Sequence, residues 1–308
     1  MATRIWFAKG LRGMIARRIQ LDLLRQGFYA GAPERFCDGV YGNDTSTALA
    51  LLQKARGLPD SGTVDADTWS QLTHDPLPSL FERCLSVTAE FEGHGFGLLQ
   101  GNFDGAGLTW GVIGFTLSNG EIQRLLADAE DHMPGTLDRV LGPLADTWRS
   151  VTARPRVAQV DWANSISQGA GKVQADPAWK AAFARLGEEP VIKRLQMQRA
   201  YDAYFVPAAA TAHRLQLRSE LGVALAFDCH VQNGQSRQHA VAALEPLAGQ
   251  VAESDMRLRL AQEVARRSAA KWQKDVLGRK SLLATSHATF RGRAYQLANW
   301  GLGEEEAA

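Results

Sequence analysis

Cysteine is scarce in this chain: Cys37, Cys84 and Cys229 are the only three in 308 residues. They are widely spaced and odd in number, which argues against a disulfide framework or a CxxC metal knuckle and fits idle thiols in a chain folded under reducing conditions. Charge imbalance is absent too. Lys and Arg total 34 against 33 Asp and Glu, a net +1, so there is no basic field for a nucleic-acid backbone. The charges alternate along helical patterns, as solvated faces do. No apolar run approaches the ~18 residues of a membrane span. The first ten residues, Met1 to Gly10, hold basic side chains but no apolar h-region, so no cleavable signal peptide is expected. The seven histidines contain no HExxH pair. His230 beside Cys229 is the only adjacent donor pair and reads as structural. No metal and no cofactor are expected, and neither an internal repeat nor a low-complexity tract is present.

What the chain does have is helical periodicity. Over residues 12–73, Ile15, Ile19 and Leu23 recur at helical spacing with Gly27 placed to stop the helix. Asp44 suits an N-cap ahead of the stripe Ala48, Leu51, Leu52, Ala55, and Asp65 suits a cap for a short helix carrying Trp69 and Leu72. The Pro-containing stretch 74–78 reads as a short linker. Beyond it helices are expected over 135–151, 156–168, 177–186, 190–215, 219–231 and 254–284, with a capping box at Ser118–Glu121. Only Val112–Leu117 is ambiguous between strand and helix. The expected architecture is mainly α: a small three-helix domain over 1–75 and a larger helical domain over 79–308, with at most a short β element near 104–117. The tail from Gly303 is expected to fray.

Two carboxylates in this frame suit acid–base chemistry. Glu92, in Phe91-Glu92-Gly93, ends an amphipathic helix, where burial beside Phe91 would raise its pKa as a general acid requires. Glu90 is next door as the competing helix-end carboxylate. Asp104 opens Asp104-Gly105-Ala106-Gly107, a turn in which glycine tolerates positive φ and leaves room for a sugar while the aspartate stays solvated and ionised. An acid kept protonated and a carboxylate kept ionised are what glycoside hydrolysis needs. Gly105-x-Gly107 is not a nucleotide loop, since it lacks the third glycine and a preceding strand.

Two resemblances add to this. Asp38-Gly39-Val40-Tyr41-Gly42, Thr45, Leu52-Gln53, Gly57-Leu58-Pro59-Asp60-Ser61-Gly62 and Thr68-Trp69 closely resemble the three-helix peptidoglycan-binding domain of bacterial cell-wall hydrolases. That resemblance implies Asp38, Tyr41, Thr45 and Gln53 as the domain's candidate residues. The segment Thr88-Ala89-Glu90-Phe91-Glu92-Gly93, followed by Asp104-Gly105-Ala106-Gly107-Leu108-Thr109-Trp110-Gly111-Val112-Ile113-Gly114-Phe115, resembles the catalytic segment of the chitosanases of glycoside hydrolase family forty-six and, more broadly, lysozyme-like glycosidases. It implies Glu92 as general acid, Asp104 as general base and Thr109 as a holder of the attacking water, in an inverting reaction. The stretch between the carboxylates is shorter than in those chitosanases. Ala226–Gly234 resembles their later cleft-lining helix, with Asn233 in place of a histidine. Asp228, His230 and Gln232, with Asn164 and Gln168, are the candidate sugar contacts, since amides and carboxylates suit sugar hydroxyls.

The expected function is a peptidoglycan hydrolase, a muramidase cutting β-1,4 bonds of murein glycan. The alternatives are a chitosanase, a lytic transglycosylase, a zinc amidase or peptidase, and a non-catalytic wall-binding protein. A monomer is expected, made in the cytoplasm and acting on the wall in the periplasm or outside, through phage lysis or a contractile secretion system; in the latter case an immunity protein would be a partner.

Overall fold

The N-terminal helices form where the apolar stripes placed them. In the computed structural model, which describes residues 3–92 and 95–307, α1 (Met14–Arg25) buries Ile15, Ile19 and Leu23. Gly27, at φ 79°, stops it: the Phe28 amide turns back to donate to the Leu23 carbonyl at 2.9 Å. α2 (Asn43–Ala55) starts two residues earlier than expected, after Gly42, so Asp44 sits in the first turn and caps nothing. There its charge still favours the positive end of the helix dipole. Asp65 does cap α3 (Ala66–Leu72), accepting from the Thr68 amide at 2.7 Å. α1 packs on both α2 and α3. α4 (Leu80–Glu92) follows the linker, and its middle residues are buried on every side.

By contacts the chain divides into two units, Met1–Phe91 with Ala203–Ala308 and Glu92–Asp202. The expected domain boundary at 75–79 thus falls inside the first unit. Part of the reason is one buried carboxylate. Glu220 accepts from Arg83 of α4 at 2.8 Å and from Arg4 at 2.6 Å, and both guanidiniums lie over the Trp6 ring, at 4.9 and 4.0 Å from its centre.

In the second unit five two-residue strands make one antiparallel sheet: β1 (Leu99–Gln100), β2 (Thr109–Trp110), β3 (Phe115–Thr116), β4 (Ser167–Gln168) and β5 (Gln174–Ala175), in the order β3-β2-β1-β5-β4. The ambiguous run at 112–117 therefore contributes a strand. The helix expected over 156–168 ends at Ser165 as α5 (Arg156–Ser165) and gives way to β4. Gly142-Pro143 breaks the helix expected over 135–151 into Thr136–Leu141 and Leu144–Thr152, since proline cannot continue an α-helix from the preceding turn. The capping box at Ser118 does not form. Left-handed Gly120 precedes the helix, and Glu121 instead accepts from the Thr116 amide at 3.1 Å.

The rest of the first unit is built on α6 (Glu220–Gln232) and α7 (Gln273–Thr285), followed by the hairpin β6 (His287–Phe290) and β7 (Arg293–Gln296). Its turn, Arg291-Gly292, has positive φ at both residues, 48° and 77°, the two-residue geometry that matches strand twist. The tail does not fray: the Glu220 amide donates to the Glu305 carbonyl at 2.9 Å and Ala307 to Arg218 at 2.7 Å. Among the described residues no helix is long and apolar enough to cross a membrane.

Candidate active site

Asp104 lies on the loop that joins β1 to β2. Strand pairing of Gln100 with Thr109 closes the loop's base. Within it Asn102 is the organising residue: its side-chain oxygen accepts from the Gly107 amide at 2.9 Å, its own amide donates to Ser167 Oγ at 2.8 Å, and its Nδ2 donates to Asn164 Oδ1 at 3.4 Å. Sequence reading passed over Asn102 because its partners in α5 and β4 are remote in the chain. Gly107, at φ 79°, cannot be replaced cheaply. A Cβ there would sit 3.2 Å from the Leu117 side chain. Asp104 itself is exposed. One oxygen accepts from the Ala106 amide at 3.0 Å, a turn that aims the side chain without consuming it. Thr109 is only 6% exposed, and its hydroxyl has no hydrogen-bond partner among the described residues. A buried hydroxyl rarely goes unsatisfied except where a ligand or water completes it.

Asn164 meets this loop as just described and also accepts from Lys172 Nζ at 2.6 Å. Gln168 is exposed at the sheet edge, and among the described residues its side chain bonds only Asp176, at 3.5 Å. The second unit thus brings Asn164 to the Asp104 loop, whereas Trp110 is fully buried edge-on against Phe183 and is core.

The last turn of α4 presents Glu90 and Glu92 about 200° apart around the helix, so they serve different faces. Both are half-buried. Gly93, the expected helix stop, lies outside the described residues. Glu90 accepts from Arg293 Nη1 at 2.6 Å. Burial pushes its carboxyl above the ordinary range, against the opposing pull of Arg293 and Arg12. The β6–β7 hairpin grips this turn further. Phe91 packs edge-on to Phe290 and Tyr295, at 5.6 and 5.4 Å between ring centres, and its carbonyl accepts from Arg291 at 3.2 Å.

Of the three contacts expected on α6, His230 and Gln232 are half-buried. Asp228 is fully buried. Arg279 donates to it at 2.6 Å and Thr88 at 3.0 Å, and Lys280 Nζ makes a short contact to its other oxygen. Burial alone would raise this carboxyl, but the two cations hold it well below the usual range. Gln232 accepts from Lys280 at 2.9 Å. His230 pairs with Thr211 at 2.9 Å, and burial lowers its pKa to about 4, so it is neutral near pH 7. Asp228 and Gln232 thus share Lys280, and His230 pairs separately with Thr211.

Three of the four N-terminal candidates are buried. Tyr41, Thr45 and Gln53 are each 1% exposed. Tyr41 donates to the Gly62 carbonyl at 2.8 Å, Gln53 to Thr63 and Thr68, and Gln20 joins Asp38, Val40 and Thr45. Asp38 alone is exposed, and it ties its own turn by accepting from the Val40 amide at 2.8 Å. Tyr41, Thr45 and Gln53 tie the domain's turns together from within. Among the described residues no group of three or more His, Cys, Asp or Glu is placed to hold a metal ion.

Comparison with known proteins gives two family matches. Residues 87–265 match glycosyl hydrolase family 46, and residues 15–72 match the putative peptidoglycan binding domain. Similar solved structures include a Gynuella sunshinyii chitosanase in complex with chitotetraose, at 17% identity and TM-score 0.47, covering 70% of this chain and 95% of that one. Another is the native chitosanase from Bacillus subtilis MY002, at 15% identity and TM-score 0.48, covering 68% of this chain and 88% of that one. No curated protein matches the sequence.

Proposed function

The chain belongs to glycosyl hydrolase family 46, and from that membership we propose that it hydrolyses a β-1,4-linked amino-sugar polymer of the chitosan type. The observation that carries this reading is the extent of the family match, 87–265, which takes in both the last turn of α4 and the Asp104 loop. The peptidoglycan-binding match at 15–72 favours a second reading, in which the polymer cut is murein and the enzyme a muramidase. Both polymers share a β-1,4 amino-sugar backbone, so one apparatus would serve either.

In the proposed reaction an acid on α4 gives its proton to the glycosidic oxygen as the C1–O bond breaks. Asp104 takes a proton from water as the water oxygen bonds to C1, and the unpaired Thr109 hydroxyl holds that water. Sequence favours Glu92 as the acid. Glu90 is the neighbouring candidate: burial raises its carboxyl, while its ion pair with Arg293 pulls the other way.

The deciding measurement is mass spectrometry of fragments released from chitosan and from purified murein. Release of glucosamine oligomers from chitosan alone supports the first reading, and muropeptides with reducing N-acetylmuramic ends support the second. Anhydro-sugar ends would mean a transglycosylase and overturn the hydrolytic scheme. Binding of sacculi without any cleavage would mean a wall-binding protein. Inversion predicts product anomers of opposite configuration by NMR.

A further inference from the structure

The β6–β7 hairpin lies beyond residue 265, where the family match ends. It is nonetheless seated on the helix turn that carries both candidate acids. α4 ends at Glu92, so the Phe91 carbonyl is one of those the helix itself leaves unpaired. Arg291 Nη1 donates to it at 3.2 Å. Phe91 stands between Glu90 and Glu92 in the chain, so this bond fixes the backbone beside whichever of the two is the acid. A cation at this end of a helix also meets the negative end of its dipole.

Arg291 is itself held in place. Asp275, in the first turn of α7, accepts from its Nε at 2.9 Å and from its Nη2 at 2.8 Å. Such a two-bond pairing orients the guanidinium and leaves Nη1 for α4. The guanidinium carbon lies 4.9 Å from the centre of the Phe290 ring, and Phe290 in turn packs edge-on to Phe91. Neither the turn nor stability explains an arginine at this position. Two-residue hairpin turns with positive φ at both positions favour Asn or Gly at the first, and Arg291 holds its φ of 48° at a cost. Its side chain is 54% exposed, and an ion pair so open to water adds little to stability. What the arginine supplies is reach, from the hairpin turn to the end of α4.

We propose that Arg291, oriented by Asp275, is a positioning residue for the general acid on α4, and that the β6–β7 hairpin is the brace that carries it. This role rests on the hydrolase reading given above. An acid displaced from the glycosidic oxygen transfers its proton poorly while the sugar still binds, so the loss falls on turnover rather than on affinity.

The test uses the full chain carrying Arg291→Asn, which gives the turn the Asn-Gly pair it prefers and removes the reach to Phe91. Sugar release from chitosan or from purified murein should show kcat falling about tenfold or more, with KM within about twofold of the parent. The melting temperature should stay unchanged or rise. Asp275→Asn should lower kcat in the same direction, and the double variant should lose no more than Arg291→Asn alone, because both act through one bond. Parent turnover in Arg291→Asn overturns the proposal, and so does full additivity of the two losses. A variant that loses stability instead shows the arginine to be structural and overturns it too. The two readings fail separately. A parent chain that cuts polymer beside an Arg291→Asn variant that cuts it equally well loses the positioning role alone. A parent chain that cuts neither polymer loses the hydrolase reading, and hydrogen exchange then decides the brace. Amides 89–92 should exchange faster in Arg291→Asn, and unchanged exchange there overturns the proposal.

Discussion

Asp104 and Asp228 are both motif aspartates, the first expected as the general base and the second as a sugar contact. The structure separates them completely. Asp104 is exposed on a glycine loop, with one oxygen in a local turn and the other without a protein partner among the described residues. Asp228 is fully buried and bonded to Arg279, Lys280 and Thr88. An open carboxylate can do chemistry on a substrate. A closed one holds helices together. The sharpest way to break this comparison is to remove each charge while keeping the shape. Asp104→Asn should cost about 10²–10⁴ in turnover, the usual worth of a general base, with the melting temperature unchanged. Asp228→Asn should instead destabilise the fold by about 3–5 kcal/mol, because two buried cations lose their counterion; denaturant unfolding reads this. If Asp228→Asn leaves stability intact and abolishes turnover, the assignment of roles is wrong.

The two carboxylates of α4 sharpen the comparison next. If Glu90 is the acid, Glu90→Gln should lower turnover by about 10²-fold or more while Glu92→Gln stays within about tenfold; the reverse order restores Glu92. On the same reading Arg293→Met should move the alkaline limb of the pH–rate profile upward. Arg293 holds the Glu90 pKa down, so removing it raises that pKa and keeps the acid protonated to higher pH. The smallest effect belongs to His230. Its pKa falls from 6.5 unfolded to about 4 folded, so its contribution to stability is complete above pH 6.5 and is lost as pH drops towards 4. The melting temperature should decline over that window, and His230→Gln should flatten the decline.

Local features were legible where the chemistry is local. Gly27 stops α1 and Asp65 caps α3 because each acts on a neighbouring turn. The Asp104 turn likewise follows from the glycines beside it. Asp44 and Ser118 misled for the opposite reason: each is a good cap residue, but Gly42 and left-handed Gly120 took the boundary. The β6–β7 hairpin was readable from Arg291-Gly292 between short β-prone runs and was missed. The tail was expected to fray on composition, yet backbone pairing with Arg218 and Glu220 holds it, and no composition rule foresees a partner so far along the chain.

The amino-acid sequence by itself determined the helical class, the two family segments and the glycine loop bearing Asp104, since all of these rest on periodicity, turn chemistry and residues close in the chain. Only the tertiary structure decided that Asp228 is buried between Arg279 and Lys280, that Tyr41, Thr45 and Gln53 are buried, and that Glu90 pairs with Arg293. Those outcomes depend on partners such as Arg279, Lys280 and Arg293, which folding brings from distant positions. Burial and pairing, which set whether a polar group is free to act, are properties of that assembly.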